Sequence, residues 1–383
     1  MESQKGSISR RKFIAATGGI TFMVAGFGMF SKLAVGKSRE IDQEKQVTAW
    51  VHLNTNGKVT IYNPAAEMGQ GSMTALAVLI AEEMDADWAK VQIEYSPIDP
   101  AVYGRSWGRG RNGRGSMLTV GSATVRGYYE NLRHAGAQAR HVLLLNVSEK
   151  WNVPLKELST IPGYVVHDRT NKKMSYGEIA SFAKMPAQLP EIPESQLKNR
   201  NHYNLIGKNT PRFDVPSKVD GSAQFAMDVR LKNMVYAVIS RSPVHGSKPT
   251  ITNEKTIRNT SGILDVVTLD HGIGIIAESI ELAISTKRRL KINWSTGVEA
   301  ENHNSKKAYT DYEKIAGDKE NRGKSIVHEG DVEAAFNAAK KTYSIDYRND
   351  YVYHAQMEPL NAVVSISDDG SSAEVWAGTQ GAP

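Results

Sequence analysis

The chain contains no cysteine in 383 residues. That excludes disulfides, thiolate nucleophiles and thiolate metal sites. It also excludes an iron–sulfur cluster of the usual Cys-ligated kind, so any electron path through such clusters runs in another chain. The ten histidines are scattered, and none forms an H-x-H or H-E-x-x-H pair of the sort that holds a catalytic metal. Net charge is small over most of the length. Residues 1–40 carry seven Lys/Arg against two Glu, a net +5, which leaves +1 for the other 343 residues. A nearly neutral body gives a general nucleic-acid or polyanion role little electrostatic support. The composition, 40% hydrophobic and 23% charged, is that of ordinary globular protein. At this length two or three domains are expected.

The basic end reads as a targeting segment, to be set apart from fold reasoning. Ser9-Arg10-Arg11-Lys12-Phe13-Ile14 looks like a twin-arginine export signal. The apolar run that follows, Phe13 to Phe30, is diluted by Thr17, Gly18, Gly19, Thr21, Gly26 and Gly28. It is marginal for a membrane span, which needs about 20 apolar residues. An ordinary N-terminal anchor is the other reading. No clean small-x-small cleavage site stands near Ala34.

In the body, Glu67-Met68-Gly69-Gln70-Gly71-Ser72-Met73-Thr74 lies between a predicted strand at Lys58–Tyr62 and a predicted helix from Met73 to Met84. Ser72 is the expected helix cap. The two glycines allow close backbone approach, and a helix N-terminus suits an anion. A strand-to-helix turn that simply needs glycine is the plainer alternative. Further strands are predicted at 48–53, 91–95, 234–239, 263–267, 290–294, 341–347, 361–367 and 373–376. Helices are predicted at 126–147, 280–288 and from Asp331 to Lys340. Pro186, Pro190 and Pro193 mark residues 185–203 as an extended linker, and 299–324 reads as a polar connector.

Four segments, in order, carry a family resemblance: Glu67 through Trp88, Val215 through Asp228, His354-Ala355-Gln356-Met357-Glu358-Pro359-Leu360-Asn361-Ala362, and Trp376-Ala377-Gly378-Thr379-Gln380. Together they resemble the molybdopterin-binding large subunits of the xanthine dehydrogenase/aldehyde oxidase family, of the isoquinoline 1-oxidoreductase beta-subunit type. The resemblance covers residues 45–383. It implies an α+β, multi-domain chain: a signal segment at 1–40, a molybdopterin-binding-like domain at 46–184, the linker at 185–203, an α/β hammerhead domain at 204–298, and the incomplete start of a second molybdopterin-binding domain at 325–383. It also implies that the catalytic glutamate lies beyond Pro383, so that this stretch alone turns over no substrate.

The resemblance further implies a molybdenum–molybdopterin cofactor, with the cytosine dinucleotide form left open. The pterin dithiolene holds the metal, so no protein ligand set is required. Gly69, Gln70 and Gly71 match the family's cofactor loop, and Gln70 offers an amide donor and acceptor. Gly121 and Ser122 match a second turn near the cofactor, though Ser122 or Thr124 could be a simple cap. Gln380 ends a strand that points toward the cofactor in relatives. Glu358 is read as structural, a turn carboxylate that satisfies backbone donors, and His245 as a solvated turn residue. The implied reaction is oxidation of an aldehyde or hydroxylation of an N-heteroaromatic, with water as oxygen source. Electrons would pass to an iron–sulfur small subunit and then to a c-type cytochrome or other electron acceptor, in the periplasm or at the membrane.

Two rivals remain: a non-catalytic exported protein that keeps the hammerhead as a binding module, and a nucleic-acid binder working through Arg105, Trp107, Arg109, Arg111 and Arg114. Binding of the second kind weakens steeply with salt. The expected outcome of a filter-binding titration is no RNA retention at low or high salt; retention at low salt that vanishes as salt rises would restore that rival.

Overall fold

The computed structural model describes residues 19–23, 49–105, 115–186, 189–318, 320–321 and 323–381. The expectations for most of the export signal, and for Trp107, Arg109, Arg111 and Arg114, lie outside the described residues. The chain divides into two compact units, Met1–Phe225 with Val364–Pro383, and Ala226–Val363.

In the first unit, β1 (Gly19–Met23), β2 (Ala49–Asn54), β3 (Val59–Asn63) and β4 (Val91–Tyr95) form one sheet in chain order. The pair β1–β2 is antiparallel, so a piece of the segment expected to stand apart from the fold supplies an edge strand. The pair β2–β3 is also antiparallel, whereas β3–β4 is parallel, with Val59 opposite Val91. A parallel pair needs a crossover, and α1 (Ser72–Met84) provides it. All of α1 except Ala75 is buried, the mark of a helix enclosed on every side. It ends at Asp85, whose φ of 53° turns the chain out of the helix.

The partner of α1 is α2 (Thr124–Trp151), 28 residues long, which spans roughly 42 Å at about 1.5 Å per residue. The two helices cross where α2 carries Gly136. A Cβ there would stand 2.4 Å from the Ile80 carbonyl oxygen, so only glycine permits this approach. Trp50 packs edge-on against Tyr103, with ring centroids 5.0 Å apart, and the Tyr128 hydroxyl donates to the Tyr103 carbonyl at 2.8 Å. An antiparallel meander of β5 (Leu158–Ile161), β6 (Tyr164–His167) and β7 (Lys172–Ser175) follows. It leads through a Ser175/Glu178 capping box into α3 (Tyr176–Ala180).

The C-terminal end of α1 holds the unit's main polar feature. Glu82, Glu83 and Asp85 are all buried. Arg133 donates twice to Glu83, at 2.8 and 2.6 Å. Lys198 bridges Glu82, at 3.1 Å, and Asp85. Glu82 also accepts the backbone N–H groups of Asn204, Leu205 and Ile206 at 2.6–3.0 Å. The extended linker read at 185–203 is itself fastened to the helices. Ile192 is buried, Gln138 donates to the Pro190 carbonyl at 3.0 Å, and Arg133 donates to the Lys198 carbonyl at 2.6 Å. The prolines keep the segment extended, but it is a strap fastened to the helices. The unit boundary accordingly falls at 225/226 and not near 203.

In the second unit, β8 (Tyr236–Arg241), β10 (Ile263–Leu269) and β11 (Gly272–Ala277) make an antiparallel sheet in the order β10-β11-β8. The segments β9 (Pro249–Ile251) and β12 (Ile292–Trp294) pair separately. A small core of Ile257, Val266, Ile273 and Ile275 joins α4 (Glu254–Arg258) to the sheet. Helix α5 (Ile280–Lys287) starts at Ser279, which caps Leu282 N–H. The connector predicted at 299–324 contains a helix, α6 (Ser305–Gly317), and Asp331 caps α7 (Val332–Ala338) as expected. No strand forms at 341–347. Tyr343, Ile345 and Tyr347 alternate as a strand should, yet they are 73%, 66% and 88% exposed, and no described strand pairs with them. Alternation marks a strand only where a neighbour supplies the hydrogen bonds and a covered face. The chain re-enters the first unit through β13 (Ala362–Ile366), which pairs with β14 (Ala373–Ala377). The fold is thus α+β and multi-domain. Among the described residues no helix is long and apolar enough to cross a membrane.

Burial alone would raise the Glu82 pKa, but the three backbone donors and Lys198 outweigh it and hold the carboxyl below its ordinary 4.5. A depressed carboxylate stabilises the fold above the unfolded pKa, and the contribution is lost as pH falls through the folded one. Glu82→Gln is therefore expected to cost roughly 2–3 kcal/mol at pH 7 and progressively less below about pH 4.5. Urea melts of both proteins at pH 7 and pH 4 check this; a gap of the same size at both would contradict it.

Candidate functional site

The loop between β3 and α1 is closed on itself by Glu67. Its Oε1 accepts Gly69 N–H at 2.7 Å and Gly71 N–H at 3.0 Å, and its Oε2 accepts Met73 N–H at 3.0 Å. The Glu67 side chain is 3% exposed. The N-terminal amides of α1, expected to receive an external anion, thus hold an internal carboxylate. Ser72 does not cap the helix as expected. Gly71, at φ 83°, occupies the N-cap, and Ser72 is the first helical residue. The acceptor comes instead from a carboxylate reaching in from outside the helix, where the helix dipole favours it.

Gln70 is exposed, yet its side chain folds back on the loop. Its Oε1 accepts Met68 N–H at 2.6 Å, and its Nε2 donates to the Ala66 carbonyl at 2.9 Å and to Ser72 Oγ at 2.8 Å. In this state the amide braces the loop, and it meets a ligand only by exchanging those bonds. Arg212 clamps the outer side, donating through Nη1 to the Gly69 carbonyl at 2.8 Å. Its other nitrogens donate to Asp214 at 3.0 and 2.6 Å. Arg212, with Lys218 beside it, draws the Asp214 carboxyl down to about 2 despite partial burial. The clamp is therefore fully charged above about pH 4 and loosens only toward about pH 2.

The second predicted turn has an unusual backbone. Gly121 and Ser122 lie consecutively at φ 62° and 51°. For serine the left-handed region costs about 1–2 kcal/mol. Neither Ser122 nor Thr124 caps α2, whose N-cap is Ala123 without a side-chain bond. The first turn of α2 contains no acidic residue. Neither helix has an acidic residue in its own first turn; α1 receives Glu67 from the preceding loop.

Thr119 joins the separate candidates. It is 4% exposed. Its Oγ1 accepts Ala66 N–H at 3.1 Å, at the foot of the Glu67–Gly71 loop. Its N–H donates to the Gln380 carbonyl at 2.8 Å, and its own carbonyl accepts Gln380 Nε2 at 2.8 Å. Gly69–Gly71, Gly121–Ser122 and Gln380, remote from one another in sequence, thus meet in one region of the first unit. Sequence reasoning missed Thr119, Arg212 and the part played by Glu67. Glu67 stood inside the quoted motif, but nothing local showed where its carboxylate would turn. Thr119 had no signal at all.

Glu358 and His245 behave as the plainer readings expect, whereas Arg105, expected on an exposed or partner-facing loop, is buried. Glu358 accepts Ala226 N–H at 3.1 Å and Asn361 Nδ2 at 3.2 Å, as a turn carboxylate. His245 is exposed beside an open cleft with His303 and Glu299. Among the described residues no group of His, Asp or Glu is placed to hold a metal ion. Of the arginine loop, Arg105 is described and is buried at 5% exposure, which does not suit a phosphate-binding surface residue.

Glu67→Ala should free three amides and cost about 1–2 kcal/mol of local stability, the scale of a lost helix cap. Hydrogen exchange at Gly69, Gly71 and Met73 is expected to rise roughly tenfold, while exchange in the middle of α2 stays as it was.

Known proteins resemble this chain over the same segments. Molybdopterin cofactor-binding domains match residues 8–227 and again 317–383. The beta chain of isoquinoline 1-oxidoreductase from Brevundimonas diminuta is 32% identical over 97% of this chain and 52% of its own length. A membrane-bound aldehyde dehydrogenase (pyrroloquinoline-quinone) of Gluconacetobacter polyoxogenes is 28% identical over 98% of this chain and 48% of its own. A nicotinate dehydrogenase subunit of Pseudomonas putida is 26% identical over 88% of this chain and 27% of its own. The chain spans about half the length of the first two relatives. Two matching domains, one covering more than half the chain, lead to one conclusion: the chain belongs to the molybdopterin cofactor-binding family.

Proposed function

We propose that this chain is the cofactor-binding part of a molybdenum hydroxylase, which oxidises an aldehyde or hydroxylates an N-heteroaromatic ring with oxygen from water. Its relatives are named as oxidoreductases or dehydrogenases, and two of them as subunits. The observation that carries the reading is the convergence of Gly69–Gly71, Gly121–Ser122 and Gln380 on Thr119. When bound, the molybdenum–pterin group supplies the two-electron oxidation.

The residues at the junction fit such a group in kind. Gln380 has a neutral amide with one N–H engaged on Thr119, and Gln70 would offer its amide by exchanging its loop bonds, the donor and acceptor pair that a pterin ring requires. Gly69 and Gly121 are open, with no heavy atom within 4 Å of where a Cβ would stand, so backbone can approach a ligand. The phosphate end would lie at the N-terminus of α2, because Glu67 already fills that of α1. Electrons would leave for an iron–sulfur subunit and then a c-type cytochrome, since this chain has no cysteine for a cluster of its own. We place the enzyme in the periplasm or at the membrane, exported folded by the twin-arginine route, and assign a hammerhead fold to 204–298. The nucleotide form of the cofactor is molybdopterin or its cytosine dinucleotide.

One observation favours a second reading. The internal satisfaction of Gln70 and of the α1 amides suits a non-catalytic exported protein that retains the fold. Molybdenum analysis and intact mass of the protein purified from its own host through an N-terminal tag separate the two. Stoichiometric molybdenum with a cysteine-rich partner is the expected result; a stable, metal-free chain points to the second reading. Gln70→Ala is expected to lower molybdenum occupancy, and unchanged occupancy and rate would remove Gln70 from the site.

A further inference from the structure

Thr119 hydrogen-bonds both to Ala66, at the foot of the Glu67–Gly71 loop, and to Gln380. The two partners lie 53 residues before it and 261 after it. All three of its polar groups are committed: the hydroxyl oxygen to Ala66, the N–H and the carbonyl to Gln380. Its neighbours Leu118 and Val120 are 43% and 47% exposed, so Thr119 is the inward residue of an extended segment. The left-handed pair Gly121–Ser122 follows at once and turns that segment into α2. A slip of one residue would put Leu118 or Val120 in its place, and neither carries an oxygen for Ala66 N–H.

We propose that Thr119 is a positioning residue that fixes the Glu67–Gly71 loop and the Gln380 amide in one mutual geometry. This rests on the cofactor-binding reading given above, and adds that the two cofactor-facing segments act as one unit. Gln380 uses one amide proton on the Thr119 carbonyl, which sets the plane of its side chain and the direction of its remaining N–H and its oxygen. The hydroxyl holds the loop at Ala66, four residues before Gln70. Moving Thr119 therefore moves both amides.

The test uses the protein purified from its own host, with Thr119→Val and Thr119→Ser. Valine keeps the shape but leaves Ala66 N–H unpaired, whereas serine keeps the oxygen. Thr119→Val is expected to hold about fivefold less molybdenum per chain, or lower still, with Thr119→Ser within about twofold of wild type. Hydrogen exchange on the metal-free protein supplies a readout independent of turnover. In Thr119→Val, peptides covering 64–73 and 374–381 should exchange faster together. Wild-type molybdenum in Thr119→Val, or faster exchange at 64–73 alone, overturns the positioning role. Wild-type protein without molybdenum overturns the cofactor reading, and with it the role of Thr119. If Thr119→Val fails to fold, Gln380→Leu reads the link from the other end: faster exchange at 64–73 supports it, and unchanged exchange there overturns it.

Discussion

Three carboxylates at the end of one buried helix set the terms for the first unit. Glu82, Glu83 and Asp85 sit at the C-terminus of α1, where the helix dipole already carries partial negative charge. Uncompensated, that arrangement would cost several kcal/mol per ion. The structure answers with Arg133 and Arg140 from α2 and Lys198 from the strap, together with three consecutive backbone N–H groups at 204–206. Most of what surrounds α1 is held by these contacts. The crossing partner supplies two of the cations, the strap supplies one, residues 204–206 just after it supply the amides, and Thr160 of β5 donates to Asp85 at 2.5 Å. Net stabilisation from a buried ion cluster is small, but losing any one partner is expensive, so the cluster specifies which segments must lie here.

The opposite end of α1 uses the same device with the favourable sign. Glu67 satisfies three amides where the dipole is positive, and the loop closes without any external anion. A loop built in this way is closed by its own carboxylate, and preorganisation of that kind reduces the ordering cost of binding a ligand.

Periodicity made the regular elements legible. The strand at Val91–Tyr95 was readable to the residue, with Val91 and Ile93 buried in alternation, and α1 and α5 were readable to within one. Short glycine-bearing strands such as Gly272–Ala277 and the β5–β7 meander gave no such pattern. The alternation at 341–347 misled, since a strand is a property of a pair and not of a segment. Prolines at 186, 190 and 193 announced extended backbone correctly, and 185–203 was read as a linker only because hydrogen bonds to Gln138, Arg133 and Glu83 leave no mark on local sequence.

The sequence by itself determined the class of chemistry available: no thiolates, no histidine ligand pair, a neutral body, and a glycine-rich loop between strand and helix that resembles a molybdopterin-binding motif. It also named the three segments that meet. Only the tertiary structure decided that they meet through Thr119, that Glu67 rather than a ligand fills the first helix terminus, and that a proline-rich connector is a strap on buried carboxylates. The reason is physical. Composition and periodicity are local, whereas a carboxylate or hydroxyl acquires its role from whichever donor long-range packing brings within about 3 Å.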